Sequence, residues 1–239
     1  ESPSPIDQRE FVRDWHWSGG NLARNGIFNA SLPMRTVAWQ NPNMVGSGNE
    51  VLADLAKGRR SRGDLPTVTP LLVGDSILFR GPSQLFGASM RRQLYRAWDY
   101  PSPDETEQLS EGRRESLMEK RLWENWLHGQ LSSDGQNVYV ISDGDKSVSP
   151  QTASSNKLVA LNLQAEGKLK WIVGGDDDQD EPALLGTFFL CTPLPIGDSL
   201  YCVGERNGEI RLLELEKSSG RLLWSQQLAH VQTLFRYGR

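Results

Sequence analysis

Thr69-Pro-Leu-Leu-Val-Gly-Asp-Ser-Ile-Leu-Phe-Arg-Gly81 occurs a second time in this chain. It returns as Thr192-Pro-Leu-Pro-Ile-Gly-Asp-Ser-Leu-Tyr-Cys-Val-Gly204, with seven identities in thirteen positions. A looser copy, Ser133-Asp-Gly-Gln-Asn-Val-Tyr-Val140, lies between them, and the aligned Gly74, Gly135 and Gly197 stand 61 and 62 residues apart. A repeat of this period marks stacked or radial architectures, in which each unit buries its apolar face only against its neighbours. Each copy therefore reads as scaffold rather than as one compact enzyme site.

Each unit opens with an apolar run, turns at Gly-Asp or Asp-Gly, and continues in a second run such as Ile77 to Phe79 or Leu200 to Val203. Two β-rich runs joined by small polar residues predict a hairpin. Pro70, Pro193 and Pro195 remove ladder donors from the first strand, which suits a strand end or an edge. A third run follows (Leu85 to Ala88, Leu158 to Leu163, Ile210 to Leu215), and a fourth ends in Trp98, Trp171 or Trp224. In the second and third units Gly167 and Gly220 stand four residues before the tryptophan. Four short strands closed by a tryptophan are the grammar of a propeller blade. The expected fold is all-β: about three four-stranded blades plus a lead-in strand near Trp39, with one short helical insertion. Trp98, Trp171 and Trp224 are expected as structural blade locks by packing between blades, and Gly74, Gly135 and Gly197 as turns.

These residues carry a family resemblance. Leu158-Val-Ala-Leu-Asn-Leu-Gln-Ala-Glu-Gly-Lys-Leu-Lys-Trp171 and Leu212-Leu-Glu-Leu-Glu-Lys-Ser-Ser-Gly-Arg-Leu-Leu-Trp224 resemble the tryptophan-docking motif of pyrroloquinoline-quinone-like (PQQ-like) propeller repeats, Ala-x-Asp-x-x-Thr-Gly-x-x-x-Trp. The second unit has one extra residue before its glycine, and Glu214 and Glu216 replace Ala and Asp in the third. The first unit, Ala88 to Trp98, keeps only the ends of the motif. The opening Asp14-Trp-His-Trp-Ser-Gly-Gly-Asn-Leu-Ala-Arg-Asn-Gly26 resembles the first segment of such proteins. The resemblance extends to the outer-membrane assembly lipoproteins of the BamB-like family. It implies a non-catalytic scaffold that meets partner proteins through blade edges and loops, in the periplasm or cell envelope. An alternative is the N-terminal part of a PQQ-dependent dehydrogenase. Many such enzymes carry an adjacent cysteine pair on the quinone and a Glu, Asn and Asp set on calcium. No adjacent cysteines occur here and no such carboxylate set can be mapped, so no cofactor is expected outside that alternative. A third reading is a sugar- or peptide-binding propeller with Trp15, His16 and Trp17 as an aromatic platform. Packing of that pair against the first blade is the simpler assignment.

The expected organisation is a segment 1–40 with the N-terminal strand, blade 1 over 41–100, a helical insertion over 101–130, blade 2 over 131–175, and blade 3 with the start of the next over 176–239. A propeller closes with at least four blades. The missing blades are therefore expected from the rest of a longer chain or from another subunit.

The 239 residues carry a net charge of −4 with both signs mixed, which leaves no electrostatic footprint for nucleic acid. The basic cluster Lys57-Gly-Arg-Arg-Ser-Arg62 reads as a solvated loop. No apolar run reaches the roughly 18 residues of a membrane span, and the polar, Pro-rich Glu1 to Pro5 shows no signal peptide. Between Trp98 and Leu131 the strand grammar lapses. Glu111 to Leu127 predicts a helix with Leu117, Met118, Leu122 and Trp126 packed on the blade edge.

Chemistry is sparse. His16, His128 and His230 show no metal-ligand spacing, and His128 reads as a half-buried packing residue. The acidic run holding Asp176, Asp177, Asp178 and Asp180 is the best cation candidate, though Gly-Gly before it and Pro after it mark an exposed connector. Asn29-Ala-Ser31 fits a glycosylation sequon. Cys191 and Cys202 fall on adjacent strands as diagonal neighbours. They are read as two buried thiols, with a disulfide left open because ideal register does not bring the sulfurs together.

Overall fold

In the computed structural model, residues 49–64, 66–82, 84–90, 95–100, 111–142, 155–176 and 181–231 are described. The lead-in strand, the Trp15-His16-Trp17 platform and the sequon fall outside them.

Three antiparallel sheets follow one another along the chain. The first runs β1 (Leu71–Val73), β2 (Ser76–Arg80), β3 (Leu85–Ser89) and β4 (Tyr95–Tyr100). The second runs β5 (Leu131–Ser133), β6 (Asn137–Ser142), β7 (Lys157–Asn162) and β8 (Lys168–Gly174). In the third, β11 (Ser199–Arg206), β12 (Glu209–Glu216) and β13 (Leu222–His230) are continuous, but the first strand is split. Phe188–Phe189 (β9) and Leu194–Ile196 (β10) pair with opposite ends of β11. Pro193 stands in the break and lacks the N–H an unbroken strand would donate, whereas Pro195 is accommodated within β10 opposite Leu200.

The first hairpins of blades 1 and 3 close over two residues, Gly74-Asp75 and Gly197-Asp198, as the pairs Val73–Ser76 and Ile196–Ser199 require. Blade 2 uses a four-residue loop between Ser133 and Val138. All three glycines have positive φ, +57°, +86° and +59°, the region that a side chain penalises. Asp134 organises the longer loop. Its carboxylate accepts from Gln136 N–H (2.9 Å), Asn137 N–H (2.6 Å) and Tyr139 O–H (3.0 Å). Burial pushes its acidity toward the neutral form, but these donors outweigh it and hold the carboxyl below its ordinary range.

The blades stack face to face. Leu71, Leu78 and Leu85 of blade 1 pack on Leu131, Val138, Val140, Val159 and Leu161 of blade 2. Tyr139, Ile141, Leu158 and Ala160 of blade 2 pack on Leu200, Cys202, Leu213 and Leu215 of blade 3. Apolar residues on both faces of a strand, as in Asn137–Ser142, thus reflect a sheet covered on both sides.

Two helices depart from the blade grammar. The insertion begins as α2 (Glu111–Glu119) and continues as a wider turn over Lys120–Glu124, closed by Asn125 N–H donating to Lys120 O five residues back at 2.7 Å. Met118, Leu122 and Leu127 are buried, whereas Trp126 is 56% exposed and does not pack as expected. A second helix, α1 (Asn49–Arg60), occupies the start of what the sequence assigns wholly to blade 1. The basic cluster is therefore the end of a helix and its following turn, not a loop. Arg59 ties the helices together, donating to Glu119 Oε1 at 2.6 Å and lying over the Trp123 ring at 5.8 Å. No described helix is long and apolar enough to cross a membrane.

Candidate interaction surface

The tryptophans occupy one structural position in all three blades. Trp98 pairs with Gly87, Trp171 with Ala160 and Trp224 with Glu214, and each pairing adjoins a register shift between the third and fourth strands. Cross-strand partners share a face of the sheet, so each blade presents two rows toward its successor. Blade 1 offers Leu78–Gly87–Trp98 and Arg80–Leu85–Tyr100. Blade 2 offers Tyr139–Ala160–Trp171 and Ile141–Leu158–Val173. Blade 3 offers Tyr201–Glu214–Trp224 and Val203–Leu212–Gln226. The first unit's motif is thus aligned by Gly87 rather than Ala88.

The indoles of Trp98 and Trp171 pack between their own blade and the next: a Cβ placed on Gly87 would fall 2.2 Å from Cε2 of Trp98, and the Trp171 and Tyr139 ring centroids lie 6.0 Å apart. A Cβ placed on Gly167, in the β7–β8 turn of blade 2, would fall 2.2 Å from Cε3 of Trp98. One placed on Gly220, in the β12–β13 turn of blade 3, would fall 2.8 Å from Cε3 of Trp171. Both glycines have positive φ, +74° and +79°. Trp171 Nε1 also donates to Lys217 O at 3.2 Å in the same turn. Only glycine permits both that backbone conformation and that approach. The glycine and tryptophan four residues apart in sequence therefore serve two different junctions. Trp171 is 9% exposed; Trp224, in the same register position, is 46% exposed, with Leu223, Leu228 and Val231 also exposed nearby.

Polar ties reinforce the junction between blades 2 and 3. Asn156 donates from Nδ2 to Phe189 O (3.0 Å) and accepts from Phe189 N–H (2.7 Å), completing a buried amide pair across blades. Ser132 Oγ donates to Pro193 O at 2.6 Å, and Lys217 Nζ lies 3.5 Å from Asp134 Oδ2. At the first junction, Arg80 donates to Ile141 O. His128 is fully buried rather than half-buried, with Nε2 2.9 Å from Gly81 O. Burial, then the charges of Arg80 and Arg121, hold its imidazole neutral well below the usual histidine range.

Among the described residues, no three His, Cys, Asp or Glu side chains come together to hold a metal. Asp176 is exposed and accepts from Ser155 Oγ at 2.5 Å; Asp177, Asp178 and Asp180 lie outside the described residues. Cys191 and Cys202 are free thiols, the first half-buried, and burial pushes the Cys202 thiol up, away from the thiolate. Two clefts flank blade 3. One, of about 320 Å³, is lined by Thr187, Arg206, Glu209, Arg211 and Ser225. Its polar groups satisfy one another, Arg211 donating to Glu209 at 2.7 Å and to Ser225 Oγ at 3.1 Å. The other, of about 630 Å³, lies beside Trp171, Glu181, Glu216 and Arg221.

Sheets of four antiparallel strands, stacked through a repeated indole–glycine contact, make this chain a run of β-propeller blades. Its fold is that of the quinoprotein-type propeller. Quinohemoprotein alcohol dehydrogenase from Comamonas testosteroni is similar over 92% of this chain, with a TM-score of 0.52 at 14% identity. The chain spans 28% of that protein's length. BamB from Moraxella catarrhalis is similar over 66% of this chain and 47% of its own, with a TM-score of 0.29 at 12% identity. No family model and no curated protein matches the chain. At such identities the likeness establishes the fold alone.

Proposed function

We propose that this chain is a non-catalytic propeller scaffold that meets partner proteins through blade edges and loops. The observation that carries the reading is where the repeat's marked side chains go. Trp98 and Trp171 lie against Gly167 and Gly220, and the buried polar groups Asn156, Ser132 and His128 are engaged with backbone atoms. These side chains hold blades together rather than converge on a ligand. Placement in the periplasm or cell envelope rests on the sequence resemblance.

The competing reading is a segment of a quinone-dependent dehydrogenase. Titration with pyrroloquinoline quinone plus calcium, followed by absorbance and tryptophan quenching, separates the two. The scaffold reading expects no saturable response. Saturable one-to-one binding overturns it.

A further inference from the structure

We propose that Cys191 and Cys202 form a reversible disulfide that staples the broken first strand of blade 3 to β11 and tightens its junction with blade 2. The pairing follows from strand register and holds whether or not the chain is a scaffold.

The break in the first strand creates the pairing. β9 sets Phe188 opposite Glu205 and Phe189 opposite Gly204, and Leu190 N–H then donates to Val203 O at 2.8 Å. One residue further, the same register puts Cys191 directly opposite Cys202. β10 resumes two residues out of step, with Leu194 opposite Tyr201, so Thr192 and Pro193 are the extra residues. An unbroken hairpin would have left the cysteines diagonal. Hydrogen-bonded and non-hydrogen-bonded positions alternate along an antiparallel pair. Leu190–Val203 is bonded, so Cys191–Cys202 is of the non-bonded kind, whose Cα atoms lie about 4.5 Å apart. Disulfides span Cα separations of about 4.4–6.8 Å and want Cβ atoms about 3.8 Å apart. A bend at Cys191, followed by two residues outside the ladder, gives the backbone room for that last approach.

Position gives the bond a consequence. Both thiols belong to the core shared with blade 2, Cys202 buried beside Leu200 and Leu213 and Cys191 half-buried against them. On one side of Cys191, Phe189 carries the amide pair with Asn156; on the other, Pro193 O accepts from Ser132 Oγ. Cys191 thus lies between two ties to blade 2. Pinning it to β11 fixes both.

The oxidant is a low-molecular-weight disulfide. Cys191, the more exposed thiol, loses its proton and attacks one sulfur of that disulfide, breaking its S–S bond and expelling one thiolate. Cys202 then loses its proton and attacks Sγ of Cys191, expelling the second thiolate. Two electrons pass to the small disulfide, and the two protons end on the released thiols. Burial holds Cys202 in its thiol form, which makes the second step the slow one.

The test equilibrates the full chain with reduced and oxidised glutathione, blocks the remaining thiols and maps them by mass spectrometry. The expected product is a monomer two hydrogens lighter, with the peptides of Cys191 and Cys202 joined. Half-oxidation in native buffer should need roughly a hundredfold less oxidised glutathione than in denaturing urea, the effect of holding the ends of a short loop together. Exchange of the Phe189 and Leu190 amides should slow roughly tenfold on oxidation. Cys202→Ala should stop at one stable glutathione adduct on Cys191, whereas Cys191→Ser should leave the buried Cys202 unreacted. The comparison of native buffer with urea needs no substitution, so it decides the case even where Cys202→Ala does not fold. Equal half-oxidation points in the two solvents overturn the proposal. So does a glutathione adduct that persists on Cys191 of the unsubstituted chain, or a disulfide that forms only between two chains. An intramolecular disulfide that leaves Phe189 exchange unchanged refutes the tightening of the junction.

Discussion

Replacing Gly167 by Ala adds one methyl group to the molecule where a turn glycine meets the indole of the preceding blade. The new Cβ would lie 2.2 Å from Cε3, 2.5 Å from Cδ2 and 2.6 Å from Cζ3 of Trp98, well inside van der Waals contact. Two costs combine. Holding a residue with a side chain at φ +74° costs about 1–2 kcal/mol. Forcing an indole out of a packed interface costs about 1–3 kcal/mol. The expected loss is about 2–5 kcal/mol, measured as the shift of the urea unfolding midpoint at constant slope. Gly197→Ala separates the terms, because Gly197 has φ +59° but nothing within 4 Å of its added Cβ. It should lose only the first, backbone term. In a Trp98→Ala background the Gly167→Ala penalty should shrink to that same term, giving a coupling of about 1–3 kcal/mol. Equal losses for Gly167→Ala and Gly197→Ala, or no coupling to Trp98, would refute the claim that these residues lock adjacent blades.

Three further outcomes follow from the same geometry. Trp171→Ala should cost about 3–5 kcal/mol by denaturation, while Trp224→Ala, half exposed, should cost less than about 1 kcal/mol. Asn156→Ala strips both partners from the buried Phe189 amide pair and should cost about 2–4 kcal/mol, with faster hydrogen exchange at Phe189. The lowered pKa of His128 sets a pH window. The folded imidazole stays neutral while the unfolded one protonates near 6.5, so stability present at neutral pH is lost as pH falls below about 6.5. Unfolding midpoints between pH 7.5 and 5 should show this decline, and His128→Phe should flatten it.

The architecture was legible because the repeat exposes it. Thr69–Gly81 and Thr192–Gly204 share their turn chemistry, and a positive-φ glycine between two apolar runs leaves little choice but a hairpin. The helix α1 was not legible. Asn49–Arg60 sits between glycine-rich turn material and Pro66, and Lys57 to Arg62 carries few apolar residues. Its anchorage is a long-range ion pair from Arg59 to Glu119, which no local pattern announces. Trp126 misled for the opposite reason. Its helical spacing from Leu122 is right, but the backbone widens over Lys120–Glu124 and the ring ends in solvent.

The tryptophans were visible as packing residues, but their partners were not. The i,i+4 spacing of Gly167 with Trp171 and of Gly220 with Trp224 suggests a local motif. In space Gly167 belongs to Trp98 and Gly220 to Trp171. One signal was present: three units carry the tryptophan, while only the second and third carry the glycine before it. That offset by one unit is what a contact between successive blades requires. The burial of His128 against Gly81 had no sequence counterpart, because it depends on how the insertion returns to blade 1.

The most direct measurement is oxidative footprinting of the chain at low concentration, resolved by mass spectrometry to individual tryptophans. Stacking through successive indole–glycine contacts predicts that Trp98 and Trp171 are protected, and that Trp224, with no glycine against it among the described residues, is modified several-fold faster than Trp171. Equal protection of Trp224 and Trp171 would contradict it, as would rapid modification of Trp171, because either result would mean that the indoles are not held by the blade that follows them.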